Sequence, residues 1–202
     1  MEPKFRKVIL TGGFISKAAD RGVAFCNEVL KDMSQPVKIL ECIFGMPEKS
    51  WVASMEKDRV MFQKACPKIR MKFSIANPKD FFDQIKKSDL VYFRGGETYK
   101  LYDILAKING WQSALNGKVV VGASAGAYIL ATAFIHSSQP PKIGCGFGVL
   151  PIITVTHYRS TFLHRDNLEE SHLFWDKVDK IIESHKKGLS AIKLREGEFI
   201  VL

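Results

Sequence analysis

Cysteine is scarce in this chain, and none of it is arranged for chemistry. The four cysteines, Cys26, Cys42, Cys66 and Cys145, form no C-x-x-C pair. Their spacing argues against a disulfide frame or a zinc site and leaves them as reduced packing residues. Long apolar runs are absent too, and Met1–Lys7 lacks the apolar core of a secretory leader. A cytoplasmic protein with no membrane partner is expected. There is no G-x-G-x-x-G and no glycine-rich turn ending in Lys-Ser/Thr, which removes two common nucleotide cradles. No metal or organic cofactor is implied. Acidic residues are in the minority, 21 against 30 Lys and Arg, giving a formal net charge of +9. That excess brings nucleic acid to mind as a partner. The basic residues are scattered over several predicted helices, however, and apolar residues break up Lys64–Lys72. A generally basic surface with no nucleic-acid partner is the reading. Repeats, low-complexity tracts and linkers are all missing, so residues 1–202 are expected to form one domain.

What the chain does have is an alternation of apolar runs and amphipathic stretches. Lys7–Thr11 reads as a strand ending in Gly12-Gly13, followed by a helix from about Lys17 to Met33. Val37–Phe44 is a second strand, and Pro47 suits the first turn of a helix running to Cys66. Ile69–Ile75 alternates apolar and basic residues, as a strand near a sheet edge does. Asn77-Pro78 reads as a cap and first helical position of a helix ending at Lys87. Asp89–Leu101 is a strand ending in Gly95-Gly96, with a helix starting near Glu97 or Thr98. Such alternation predicts a mostly parallel sheet covered by helices on both faces. In such sheets, ligands sit beyond the carboxyl ends of the strands.

The stretch Lys118–Thr132 is the most informative. A β-branched strand leads into Gly122-Ala123-Ser124-Ala125-Gly126, a G-x-S-x-G match, and then a small-residue run with helical character. Strand, tight turn and helix are the context that motif requires of a nucleophilic serine. The following helix aims free N–H groups, that of Ala125 among them, at developing negative charge. Gly95-Gly96 falls at the neighbouring strand end, where a backbone N–H can approach the same atom. Further on, His136–Pro141 reads as a polar turn and Gly144, Gly146 and Gly148 as a loose loop. Val149–Thr156 is a strand delivering His157 to the sheet edge expected for Ser124. His164 is a rival; His136, His172 and His185 have weaker cases. A helix is expected over Asp166–Lys187. Ser190–Leu194 and Phe199–Leu202 read as a closing hairpin around Glu196-Gly197.

Taken together, Val91–Leu101, Val119–Leu130, the pair His157-Tyr158 and the tail from Leu189 resemble the dipeptidase E and cyanophycinase family of serine peptidases. The resemblance implies a class I glutamine amidotransferase-like, flavodoxin-like three-layer α/β sandwich. It implies Ser124 as nucleophile, His157 as general base and the N–H groups of Gly96 and Ala125 as oxyanion hole. Serine in place of cysteine at the elbow argues against amidotransferase activity. The substrate implied is a small peptide or isopeptide, cleaved through an acyl-serine; Gly95 and Glu97 are placed in the substrate-binding loop.

Two departures stand out. The family's acid falls on Gln139 here, and no Asp or Glu occurs between Ser124 and His157. Gln139 is assigned as a neutral third member, with Asp166 and Glu169 as rivals. The arginine that reads an N-terminal aspartate is replaced by Ser171, with Arg159 and Arg165 as substitutes. The alternative function is a lapsed hydrolase acting as a binding or regulatory protein, supported by the missing acid.

Overall fold

The structure, a computed structural model, describes residues 4–136, 140–160, 168–185 and 188–202, the side chains of 168–171 excepted. Among them, ten strands form two sheets. The larger takes β1 (Lys7–Thr11), β2 (Val37–Cys42), β3 (Met71–Ile75), β4 (Leu90–Phe93), β5 (Val119–Ala123) and β10 (Phe199–Val201) in the order β10-β1-β5-β4-β2-β3. All its pairings are parallel except that of β10 with β1. The smaller takes β6 (Ala131–His136), β7 (Lys142–Cys145), β8 (Leu150–Val155) and β9 (Ser190–Lys193) in the order β7-β6-β8-β9. The chain has an α/β fold built on a mostly parallel sheet.

The period-2 alternation of the strands divides the apolar side chains between the two faces of the larger sheet. Val8, Leu10, Leu40, Val91, Phe93 and Val120 face one cluster, which also takes Phe81, Leu101, Trp111 and Leu130. The helices α3 (Phe81–Lys87), α4 (Thr98–Leu105), α5 (Trp111–Ala114) and α6 (Ala125–Leu130) cover that side. Ile9, Ile39, Tyr92, Val119 and Val121 face the other cluster, with Phe25, Val29 and Phe62 from α1 (Val23–Leu30) and α2 (Trp51–Ala65). A third cluster packs Phe174, Trp175, Val178 and Ile182 of α7 (Leu168–His185) on Ile135, Ile153 and Val155 of the smaller sheet. Burying one such side chain contributes roughly 1.5–3 kcal/mol.

Several local expectations are corrected. The helix predicted from Lys17 starts only at Val23, because Gly22 at φ 86° turns the chain out of a 3-10 turn at Ile15–Lys17. Asn77-Pro78 does not open α3; the Asn77 side chain accepts from the Lys79 N–H (2.9 Å) in a turn of its own. The helical run after Ser124 ends at Leu130, and Ala131–His136 extends as β6. The glycine loop contains β7, where Gly144 lies under the Phe134 ring with no room for a Cβ. Finally, β9 and β10 are not a hairpin. Strand β9 pairs in parallel with β8 in the smaller sheet, and β10 crosses to the edge of the larger one.

Candidate active site

The carboxyl ends of β1, β5 and β4 lie side by side, and each carries a glycine-containing turn. Ser124 leaves β5 at φ 51°, ψ −113°, a conformation L-residues seldom adopt and one that signals stored strain. Close packing holds it there. A Cβ on Gly126 would meet the Phe93 carbonyl oxygen at 2.0 Å, and one on Gly122 would meet Ala127 at 3.0 Å. The Ser124 N–H donates to the Thr11 carbonyl of β1 (3.1 Å). Its hydroxyl therefore points into a cleft of about 600 Å³ lined by Phe14, Met46, Met61, Arg94, Gly95 and Gly96, among others.

His157 follows β8, so it comes from the smaller sheet and not, as expected, from the sheet of Ser124. Its ring is brought over by three hydrogen bonds. Thr156 exchanges hydrogen bonds with the Tyr128 hydroxyl of α6 (3.3 and 3.4 Å), and the His157 N–H donates to the Gly12 carbonyl (3.3 Å). Nε2 lies 2.9 Å from Ser124 Oγ. Nδ1 lies 3.1 Å from Glu196 Oε1, which also accepts from the Ser160 hydroxyl (2.8 Å). A carboxylate only accepts, so Nδ1 carries the proton and Nε2 is left to take one from Ser124.

Glu196 is the residue that sequence reasoning missed. Gln139, Arg165 and Asp166 lie outside the described residues, as does the Glu169 side chain. Among the described residues, the Nδ1 of His157 is directed at Glu196, in the turn between β9 and β10, in the role expected of Gln139. The signal was present: Glu196 closely follows the predicted strand run Ser190–Leu194, as Ser124 and His157 follow strands. Reading that run as half of a hairpin hid its place beside β8.

The N–H groups of Gly96 and Ala125 make no hydrogen bond among the described residues. Gly96 sits at φ 148° against Gly45, whose carbonyl carbon and oxygen a Cβ would meet at 2.6 Å. Gly95 packs on the other side, its Cβ position lying 3.3 Å from the Cβ of Ser124. Glu97, expected at the substrate, caps α4 by accepting from the Tyr99 (3.0 Å) and Lys100 N–H groups. Arg159 is exposed, over the Tyr158 ring (5.4 Å), and does not line the cleft.

A second charged group lies on the β4 side. Arg94 pairs with Asp58 of α2 and lies 3.8 Å from Glu41 of β2, which is wholly buried. Burial pushes the Glu41 carboxyl up to about 8, against the opposing pull of Arg94. These three residues tie the Gly95-Gly96 turn to β2 and α2. No cluster of metal-ligating side chains occurs among the described residues, and no described helix is long and apolar enough to cross a membrane.

The model of peptidase family S51 matches residues 50–202. The fold is similar to a peptidase from an acI-B1 Actinobacterium, 19% identical, with a TM-score of 0.62 over 97% of this chain and 82% of that one. It is also similar to a protein described as a candidate peptidase E from Listeria monocytogenes EGD-e, 15% identical, with a TM-score of 0.64 over 97% and 93% of the two chains. No curated protein matches the chain.

Proposed function

This chain belongs to peptidase family S51, and we propose that it is a serine peptidase cleaving small peptides through an acyl-Ser124 intermediate. The observation that carries the reading is the run Ser124 Oγ, His157, Glu196, with separations of 2.9 and 3.1 Å. In the first step Ser124 Oγ attacks the scissile carbonyl carbon while its proton passes to His157 Nε2. Glu196 stabilises the imidazolium so formed. The oxyanion takes the unbonded N–H groups of Gly96 and Ala125, held still before the reaction begins. Collapse breaks the C–N bond, and the Nε2 proton leaves with the amine. Water, deprotonated by the same nitrogen, then attacks the acyl carbon; the bond to Oγ breaks, the Nε2 proton returns to Ser124 and the acid leaves.

A cleft of about 600 Å³ suits a peptide of a few residues. Strict selection of an N-terminal aspartate is not expected. Ser171 stands where the family's arginine would, and Arg94 is already paired with Asp58. The reading of a lapsed hydrolase rested on the missing acid, and Glu196 removes that support. A cytoplasmic location remains the expectation.

The test is a screen of dipeptides and isopeptides with Ser124→Ala as control, beside labelling by a fluorophosphonate. Hydrolysis and labelling that both vanish in Ser124→Ala are expected. Turnover unchanged in that variant would overturn the serine mechanism.

A further inference from the structure

The turn leaving β1 touches every member of the proposed triad, although it lies outside the 50–202 match to the family. Thr11 O accepts from the Ser124 N–H, Gly12 O from the His157 N–H, and Gly13 O from the Gly197 N–H (2.9 Å) beside Glu196. Gly13 is pressed so closely on the imidazole that a Cβ there would lie 2.8 Å from His157 Cε1. The turn then carries two side chains back to the site. Phe14, bulky and yet at φ 50°, sets its ring edge-on to the His157 ring at 5.4 Å and is 52% exposed in the cleft. Lys17 places Nζ 4.0 Å from the centre of that ring and 3.6 Å from Glu196 Oε2, the oxygen that His157 does not use.

We propose that Lys17 is a positioning residue of this reaction: its ammonium holds Glu196 by the outer oxygen and sets the pH range in which His157 serves as base. The inference rests on the serine peptidase reading above. The physics is a matter of sign. A carboxylate bridged between an imidazole and an ammonium shares its negative charge, so it favours the imidazolium less than an unshared one would. Phe14 keeps the ammonium in place by offering it a ring face. The strained backbone at Phe14 fits a turn whose geometry is dictated by the site it serves.

The charged groups facing this pair can be named among the described residues. Arg195 and Glu198 flank Glu196 in its own turn, and Arg159 follows His157. Lys57, Asp58 and Arg94 line the cleft on the β4 side. A Lys17 variant leaves all of them in place.

The experiment compares Lys17→Met with Lys17→Arg. In kcat/KM against pH, Lys17→Met should move the acid limb upward by about 0.5–1 pH unit, the size expected of one partly exposed charge. Lys17→Arg should restore it. The same comparison is made by NMR titration of the His157 ring in a Ser124→Ala background, where no turnover is needed. An upward displacement there with Lys17→Met, and none with Lys17→Arg, supports the proposal even if no substrate is cleaved. A His157 titration identical with and without the Lys17 charge overturns it. Failure of the peptidase reading is seen separately, as absence of Ser124-dependent hydrolysis and labelling.

Discussion

The two halves of the proposed catalytic apparatus come from different sheets and are built on different principles. The larger sheet supplies Ser124 and the N–H groups of Gly96 and Ala125 from adjacent parallel strand ends, where glycines bring backbone close to backbone. The smaller sheet supplies His157 and Glu196 from the neighbouring ends of β8 and β9, and delivers side chains, not backbone. The first half is fixed by packing: Gly96 against Gly45, and Gly126 against the Phe93 carbonyl. The second is fixed by hydrogen bonds: backbone to backbone from His157 to Gly12, backbone to hydroxyl between Thr156 and Tyr128 of α6, and side chain to side chain among His157, Glu196 and Ser160. Steric and polar fixation should therefore fail in different ways.

The largest effect is expected at the junction of the halves. Ser124→Ala should lower kcat by on the order of 10⁴–10⁶-fold while melting like the parent, since it removes Oγ alone. Steady-state kinetics with a thermal melt checks both points. Next, Glu196→Gln should cost roughly 10²–10⁴-fold in kcat, because an amide orients the imidazole without balancing its charge. Gln139→Ala, Asp166→Asn and Glu169→Gln should each stay close to wild-type activity in the same assay; a loss in any one matching that of Glu196→Gln would reassign the acid. A steric break is Gly96→Ala, whose Cβ has no room beside Gly45. Its expected signature is about 10²–10³-fold off kcat with KM little changed, because the displaced N–H matters only to the oxyanion.

The smallest effect lies behind the oxyanion turn, in the Glu41–Arg94–Asp58 group. Glu41 is pushed up to about 8 by burial, so the folded chain holds a proton that the unfolded chain gives up near the ordinary glutamate range. Its contribution is complete at acid pH and is lost as pH rises toward about 8, with a discounted size of roughly 1–3 kcal/mol. Denaturant melts at several pH values should show that fall in the parent and a flatter line in Glu41→Gln. Equal slopes would mean that Glu41 is ionised in the folded chain.

The first half could be read from the sequence because its determinants are contiguous: a β-branched strand, a glycine turn and a helix start lie within a dozen residues. Both Val119–Leu130 and Val91–Leu101 behave this way. The second half depends on which strands pair, and short apolar runs do not say. Ala131–His136 looks helical by composition, yet it becomes β6 because Gly146 fits without a side chain against the carbonyls of Tyr128 and Ala131. Leu189–Leu202 looks like a hairpin, yet its two strands serve different sheets. Those two misreadings hid the smaller sheet, and with it the route by which Glu196 reaches His157. Lesser errors of boundary were the helix start near Lys17 and Asn77-Pro78, where a turn residue was mistaken for a cap.

The crossing from β9 to β10 also has a consequence in time. Strand β1 is synthesised well before Glu196, yet the site requires them side by side. Contacts so distant along the chain form slowly, since a large loop must close before they stabilise anything. A nascent chain can thus complete its serine elbow and still lack the group that sustains a charged histidine. The proposed triad is therefore assembled only when the segment around Glu196 and β10 has closed onto β1 and its turn, through Ile9–Val201 pairing and the Gly197 N–H bond to Gly13.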